Sequence, residues 1–452
     1  NPPMIPILFL SRILLLGLII AQVLSTAQVY ESNHEYYAFL NAVQEAGYLA
    51  VPNERVFSSL TSFGPAFYGG LFFTLTAGAS LTLLSLCLAW AWDRIFSRSR
   101  IVLLVLCAVL LLCLVSANLR GFSLLITAYL LLIPFPVFVC TLKGLPEAAK
   151  NQSRTDVVYP LVMFVVLASI LALWNPSGTA EDRFLDIRDR YLLSNSLGRR
   201  VNAFYYENSL YATRVFASYR QQPIKGCRLD GISEPALAER ITQVLLSRDY
   251  LPLGDTIRPD LRISPSNGNL VFYSGDRFAL RVPVRELFRN PGLILSQFES
   301  RAAKNTFLRT FVLFSLFFLG AVILFACIYA PIYFLSGLFL KTTPPVVKAG
   351  ILCPAILLVV FLFVRSSHTR DLSDADALRH VMRSDRLHSR ITALKYILHN
   401  RIDIAGFPSH QDMIESQHIP ERYWLAKALG VSRTPETREF LQRLLDDPHF
   451  NV

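Results

Sequence analysis

The sequence predicts a polytopic α-helical membrane protein of about seven spans, with an α+β extramembrane insert and a C-terminal α-solenoid segment. Three observations lead there. Long apolar runs fill residues 5–175 and 307–364, and two water-soluble stretches, 176–305 and 366–452, lie between and after them. Hydrophobic residues make up 53% of the chain and charged residues 17%, where soluble domains carry about 25% charge. The tail repeats its own pattern at a spacing of roughly thirty residues.

Each apolar run is close to the ~20 residues needed to cross the hydrocarbon of a bilayer. Candidate spans are 5–25, 66–92, 101–117, 121–141, 157–174, 307–330 and 349–364. The expected parts are therefore a five-span bundle over 1–175, an insert over 176–305, a two-span part over 306–365 and the tail, 366–452. Arg94, Arg98 and Arg100 follow the second span, Lys143, Lys150 and Arg154 the fourth, and Lys341 and Lys348 bracket the loop before the last. The positive-inside rule puts all three loops in the cytoplasm. The acidic first loop, with Glu31, Glu35, Glu45 and Glu54 against Arg55, and the insert then fall outside. The expected location is the bacterial inner membrane, with the insert in the periplasm.

The run 307–340 is too long for one untilted crossing. Pro331 is expected to break it into a span and a short re-entrant or interfacial helix, Ile332–Leu340. Were that piece to cross fully, the tail would be cytoplasmic, as Arg365 and Arg370 would suit; otherwise it is periplasmic, which is the expected placement. Residues 4–27 have the look of a signal peptide and are read as a signal anchor. Arg12 snorkels from its cytoplasmic end. Asn1 is expected to follow a trimmed start, and the tail to continue past Val452.

The net charge of +11 comes from scattered arginines rather than a basic block, so membrane lipids and other protein subunits, not nucleic acid, are the expected partners. Six of the seven cysteines (Cys87, Cys107, Cys113, Cys140, Cys327, Cys353) lie in or against spans. Cys227 stands alone in the insert, which must therefore hold itself together by its core. There is no C-x-x-C, P-loop, dinucleotide fingerprint, G-x-S-x-G or H-E-x-x-H, so no cofactor or metal is expected. All histidines except His34 lie in the tail and are expected at its surface.

Within the insert, apolar spacing predicts helices over 182–219, 234–247 and 285–299. Strand-like runs stand at 261–263, 269–273 and 278–284, with the turn Ser264–Gly268 between the first two. In the tail, Arg390 is followed by Ala393-Leu394 and Ile397-Leu398, and Arg422 by Leu425-Ala426 and Leu429-Gly430. Helices are expected near 376–383, 387–399, 410–416, 420–430 and 435–446, burying Ala393, Leu394, Leu425, Leu429, Phe440 and Leu444. The second copy adds Pro435 opening a helix and Asp446-Asp447-Pro448 closing it. This pattern resembles the short HEAT-like repeat, V-R-x-x-A-x-x-A-L-G plus a second helix and a D-P turn, over about 65 residues. Glu421 departs from the family's Val, and Ile397-Leu398 from its Leu-Gly.

One cluster can be weighed as chemistry: Glu31-Ser-Asn-His34-Glu35, directly after the first span. With the amphipathic segment Glu35–Gly47 and Thr61-Ser-Phe-Gly-Pro65-Ala-Phe-Tyr68, it is similar to the first outer loop of GT-C-type glycosyltransferases. That resemblance implies a catalytic Glu31 or Glu35 acting on a lipid-linked sugar, although the family usually has more spans and no insert of this size after the fifth. The plainer account is a solvated acidic turn capping an interfacial helix. The spans are otherwise nearly free of ionisable groups, which argues against an ion-coupled carrier. The first reading is accordingly a membrane-embedded scaffold or assembly subunit that binds partners through insert and tail. A GT-C-like glycosyltransferase is the alternative and a transporter component the second alternative.

Overall fold

No proline or glycine falls between Gly17 and Gly47, so nothing interrupts the helical hydrogen-bond ladder there. In the computed structural model the first element, α1, accordingly runs unbroken from Ile7 to Glu45. The described residues are 7–48, 54–119, 122–145, 185–186, 188–208, 219, 222, 224–254, 257–303, 306–339, 375–432, 434–449 and 452. The expected acidic turn after the first span is thus corrected: Glu31–Glu35 is mid-helix.

A short helix α2 (Glu54–Ser59) precedes α3 (Phe63–Phe73), which continues through the wide π-turn Thr74–Gly78 into α4 (Ala79–Arg94). Next come α5 (Arg100–Asn118), α6 (Leu124–Leu132) and α7 (Pro134–Gly144). Four helical stretches among the described residues are long and apolar enough to cross a membrane: Leu8–Glu45, Phe63–Arg94, Arg100–Asn118 and Leu124–Gly144. A fifth is counted if Pro291–Ala302 and Thr306–Gly320 form one bent span. The sequence's apolar runs 157–174 and 349–364, and the loop 341–348, lie outside the described residues.

The chain divides into two compact units, Asn1–Glu181 with Tyr205–Leu358, and Asp182–Phe204 with Val359–Val452. In the first, a five-stranded sheet has the order β2-β1-β3-β4-β5, with β1 Lys225–Leu229, β2 Tyr250–Pro252, β3 Leu261–Ser266, β4 Asn269–Ser274 and β5 Arg277–Pro283. β1 pairs parallel with both β2 and β3, and the rest is antiparallel. The last three strands were legible; β1, with Lys, Gly and Arg in five positions, and the three-residue β2 carry too weak a pattern. Helix α8 (Ser196–Asn208) precedes the sheet, and α9 (Pro235–Leu246) follows β1. The single helix expected over 285–299 is split at Asn290-Pro291 into α10 (Val284–Arg289) and α11 (Pro291–Ala302), because Asn290 leaves the helical region at φ −135° and ψ 58° and Pro291 opens the next helix at a position that needs no N–H. Cys227, Ile241, Leu245, Ile263, Phe272 and Phe298 close the core, each large apolar side chain contributing about 1.5–3 kcal/mol.

Helix α12 spans Thr306–Phe339, 34 residues, with Pro331 inside it. The expected break at Pro331 does not occur. Proline's fixed φ is helical, and in an apolar helix the one carbonyl it leaves unbonded is tolerated.

The second unit holds α13 (Ala375–Met382), α14 (Leu387–Asn400), α15 (Ile419–Leu429) and α16 (Pro435–Leu445) around Leu394, Ile397, Trp424, Leu425 and Leu429. Ala393 and Leu444 are buried as expected, while Phe440 is partly buried. The helix expected at 410–416 is instead two single-turn pieces, Ile404–Gly406 and Pro408–His410, followed by turns, in which Met413, Ile414 and Ser416 each bond to the carbonyl three residues back rather than four. Leu185, grouped with the insert in the sequence, packs against this core.

Candidate functional site

Helix α1 positions both expected catalytic residues. Glu31 and Glu35 lie one turn apart on its exposed side, and no ion pair to either is found among the described residues. His34 between them bonds through Nδ1 to the Tyr30 carbonyl at 2.9 Å and sits 4.3 Å, ring to ring, from Tyr30. The other side of the same stretch is covered. Phe39, Leu40 and Val43 form one cluster with Val56 and Leu60 and with Leu251 and Leu253 of the insert. Gly226 approaches so closely that a Cβ there would stand 3.3 Å from the Phe39 ring. Asn33, buried on that covered side, has neither amide atom bonded.

Deeper in α1 a neutral polar seam faces α3, the π-turn and α6. Thr74 donates to Gln22 Oε1 at 2.8 Å and lies 2.9 Å from Ser25 Oγ, while Gln22 Nε2 donates to the Phe67 carbonyl at 2.8 Å. Tyr129 donates to the Ala21 carbonyl at 3.1 Å. Small residues allow the approach. A Cβ on Gly78 would lie 2.4 Å from that of Ala21, and one on Gly17 2.2 Å from Thr82 Oγ1. Gln28, Phe73, Ala77 and Tyr129 line a cavity of about 10 Å³ here, barely the size of one water. The seam suits helix association rather than substrate binding.

In the insert, Lys225 is almost wholly buried at the start of β1, 3.1 Å from Glu299 on α11. Tyr250 donates to the same Glu299 oxygen at 3.2 Å, and the ammonium lies 4.8 Å over its ring. Burial, then Glu299, pushes the Tyr250 pKa well up; burial and Asp260 push Cys227 up to about 12, so this thiol is inert.

The tail is locked by charge. Arg390 meets the fully buried Glu421 at 2.5 and 3.1 Å, and Arg422 meets Asp447 in a two-pronged pair at 2.6 and 3.0 Å. A π-turn, Arg188–Leu192, presents Asp189 to Trp424, whose Nε1 donates to it at 2.6 Å. Arg188 lies 4.0 Å over the Tyr423 ring, and Lys395 pairs with Asp186. Burial opposes the charge of Arg188, but Asp189 and Tyr423 outweigh it and raise its pKa.

His410 corrects the expectation of surface histidines. It is buried, with Nδ1 at 2.7 Å from the Phe407 carbonyl and the ring edge-on to Phe440. Among the described residues no group of three His, Cys, Asp or Glu is placed to hold a metal ion. Sequence reading missed Asn33, Asp189 and the role of Glu421; only the last left a trace, as the residue standing where the repeat pattern has Val. No family model matches the chain, and no curated protein or solved structure matches it.

Proposed function

We propose that this chain is a membrane-embedded scaffold or assembly subunit, built on seven spans, whose insert and HEAT-like tail hold partner proteins at the periplasmic face of a bacterial inner membrane. The observation that carries the reading is the matched pair of locks in the tail. Arg390 and Arg422 occupy equivalent positions and each binds a carboxylate farther along the chain, Glu421 and Asp447. A repeating internal tie is what a stack of helix pairs needs, since each pair buries its face only on its neighbour, and such stacks present extended protein-binding faces.

The GT-C-like alternative keeps one point of support, that Glu31 and Glu35 share a face of α1 one turn apart. A carboxylate serving sugar transfer needs a tuned environment, whereas both stand exposed on an unbroken helix. Replacing both with Gln separates the readings. A scaffold keeps its co-purifying proteins and its cellular activity. An enzyme loses transfer from a lipid-linked sugar while its assembly stays intact, and that result overturns the proposal.

A further inference from the structure

We infer that the first loop, the insert and the tail all project from one face of the membrane. Two buried contacts and the continuity of the chain carry this. On one side, Phe39, Leu40 and Val43 of α1 share a core with Leu251 and Leu253 of the insert. On the other, the strap 185–192 packs on the tail through the partly buried Leu185, the Asp189–Trp424 hydrogen bond and the stacking of Arg188 on Tyr423. Side chains cannot share a core through a bilayer, so each contact places its two segments on the same side.

Strap and insert are joined by chain that does not cross. No described helix between Arg188 and Arg289 is long and apolar enough, and α11 buries Leu295 and Phe298 in the sheet's core. The intervening sequence 209–223, holding Arg214 and Arg220, is too short and too polar. Strap, sheet and tail therefore share one compartment, and the first loop joins them.

From Glu45 to Arg188 the chain must cross an even number of times. The stretches Phe63–Arg94, Arg100–Asn118 and Leu124–Gly144 supply three crossings, so one more is required, and the sequence holds one apolar run there, 157–174. From Ala302 to Ala375 the count must again be even. Helix α12 supplies one crossing, and the run 349–364 is the sequence's candidate for the second. The tail therefore returns to the insert's side, and the alternative in which the piece after Pro331 adds a crossing of its own is excluded. The sidedness rests on the membrane reading; given the scaffold reading, it also means that proteins gathered by the tail are met in the insert's compartment.

The test uses the full chain in intact cells of a bacterial host and a membrane-impermeant maleimide, counted above the parent chain. Glu45→Cys, Ser300→Cys and Gln417→Cys, all at exposed positions, should label together without permeabilisation. Ser97→Cys, in the basic loop after α4, should label only after it. Labelling of Gln417→Cys with Ser97→Cys, or of Glu45→Cys apart from Ser300→Cys, overturns the inference. As a second measure, Asp186→Cys with Lys395→Cys should form a disulfide on mild oxidation, because these side chains pair. Failure to cross-link while both thiols label with maleimide overturns the strap contact. If the three sites label together but nothing co-purifies with the chain, the scaffold reading falls and the sidedness stands.

Discussion

In the apolar bundle, buried hydroxyls bond to carbonyls of their own helix: Thr76 to Phe72, Thr82 to Gly78 and Ser85 to Leu81, each four residues back. In the tail, side chains that reach between helices include buried ions, Glu421 with Arg390 and Asp447 with Arg422. The difference follows from the solvent around each region. A hydroxyl in hydrocarbon can satisfy itself on its own helix at no cost in charge, and an ion there is expensive. In the tail, Arg390 keeps 26% of its side chain exposed while its partner Glu421 has none, so one end of the pair stays in water. Packing differs in step. Half of the apolar window in Phe63–Arg94 is buried but only 6% of that in Arg100–Asn118, so the seam between α1 and α3–α4 carries the bundle, while α5 turns its surface outward.

If the tail depends on ion pairs, breaking one should cost more stability than any single change to the bundle. Glu421→Ala leaves Arg390 unpaired over an emptied, buried site and should cost about 3 kcal/mol. Hydrogen exchange of the tail in the detergent-solubilised chain reads this directly. The double variant Arg390→Met/Glu421→Leu should recover most of the loss, because an apolar pair of similar volume needs no desolvation. A double variant as unstable as the single would mean that the pair itself, not the orphaned charge, holds the helices.

The bundle should break by volume instead. Gly78→Ala places a methyl 2.4 Å from the Ala21 Cβ, a contact relieved only by parting two helix backbones. The expected loss is about 2 kcal/mol, seen as a lower melting temperature in detergent. The outward-facing α5 supplies the control: Cys107→Ala, at an exposed position on that helix, should leave the melting temperature unchanged.

Acid sharpens the contrast at the Arg422–Asp447 lock of the tail. Burial holds His449 below the ordinary imidazole value, outweighing Asp447. For Asp447 burial works upward, but the hydrogen bonds from Arg422 and from the His449 backbone hold its carboxyl below the usual range. Both pKa values are thus depressed in the fold, and the unfolded chain takes up protons first as pH falls. Stability from His449 is complete above about pH 6.5 and that from Asp447 above about pH 4. Each is lost as pH falls through the lower folded value. Tail exchange protection should therefore decline in two steps below about pH 6.5, with α3 and α6, which hold no Asp, Glu or His, unmoved over the same range.

What was legible follows the same division. Apolar runs are long signals, and the helices at 63–94, 100–118 and 124–144 match them to within a few residues. The spacing of Arg390 and Arg422 was visible too, and Glu421 was already marked as out of pattern. Its partner lies 31 residues away, and nothing in the sequence states which carboxylate an arginine will find. The strap was missed for a different reason. Asp189 and Trp424 are 235 positions apart, and local periodicity groups 182–204 with the insert it precedes. Turn chemistry erred in the opposite direction at Glu31–Glu35, where acidic residues after an apolar run imitate a helix end, although no Pro or Gly is present to make one.

The smallest effect should come from the pair most like Glu421–Arg390 in chemistry and least like it in setting. Glu439 and Arg443 on α16 stand one turn apart at 3.0 Å, with 67% and 60% of their side chains exposed. Water already solvates both ions, and holding two long side chains together costs entropy, so such pairs contribute about 0.3–0.5 kcal/mol at most. Glu439→Ala should lower tail stability by no more than that, and the difference should vanish in about 1 M salt, where the screening length is about 3 Å. Glu421→Ala should keep its effect in the same salt, because its carboxylate is out of reach of counterions. Equal salt responses in the two variants would mean that burial does not set the strength of these locks, and the contrast between the tail and the bundle would then need another cause.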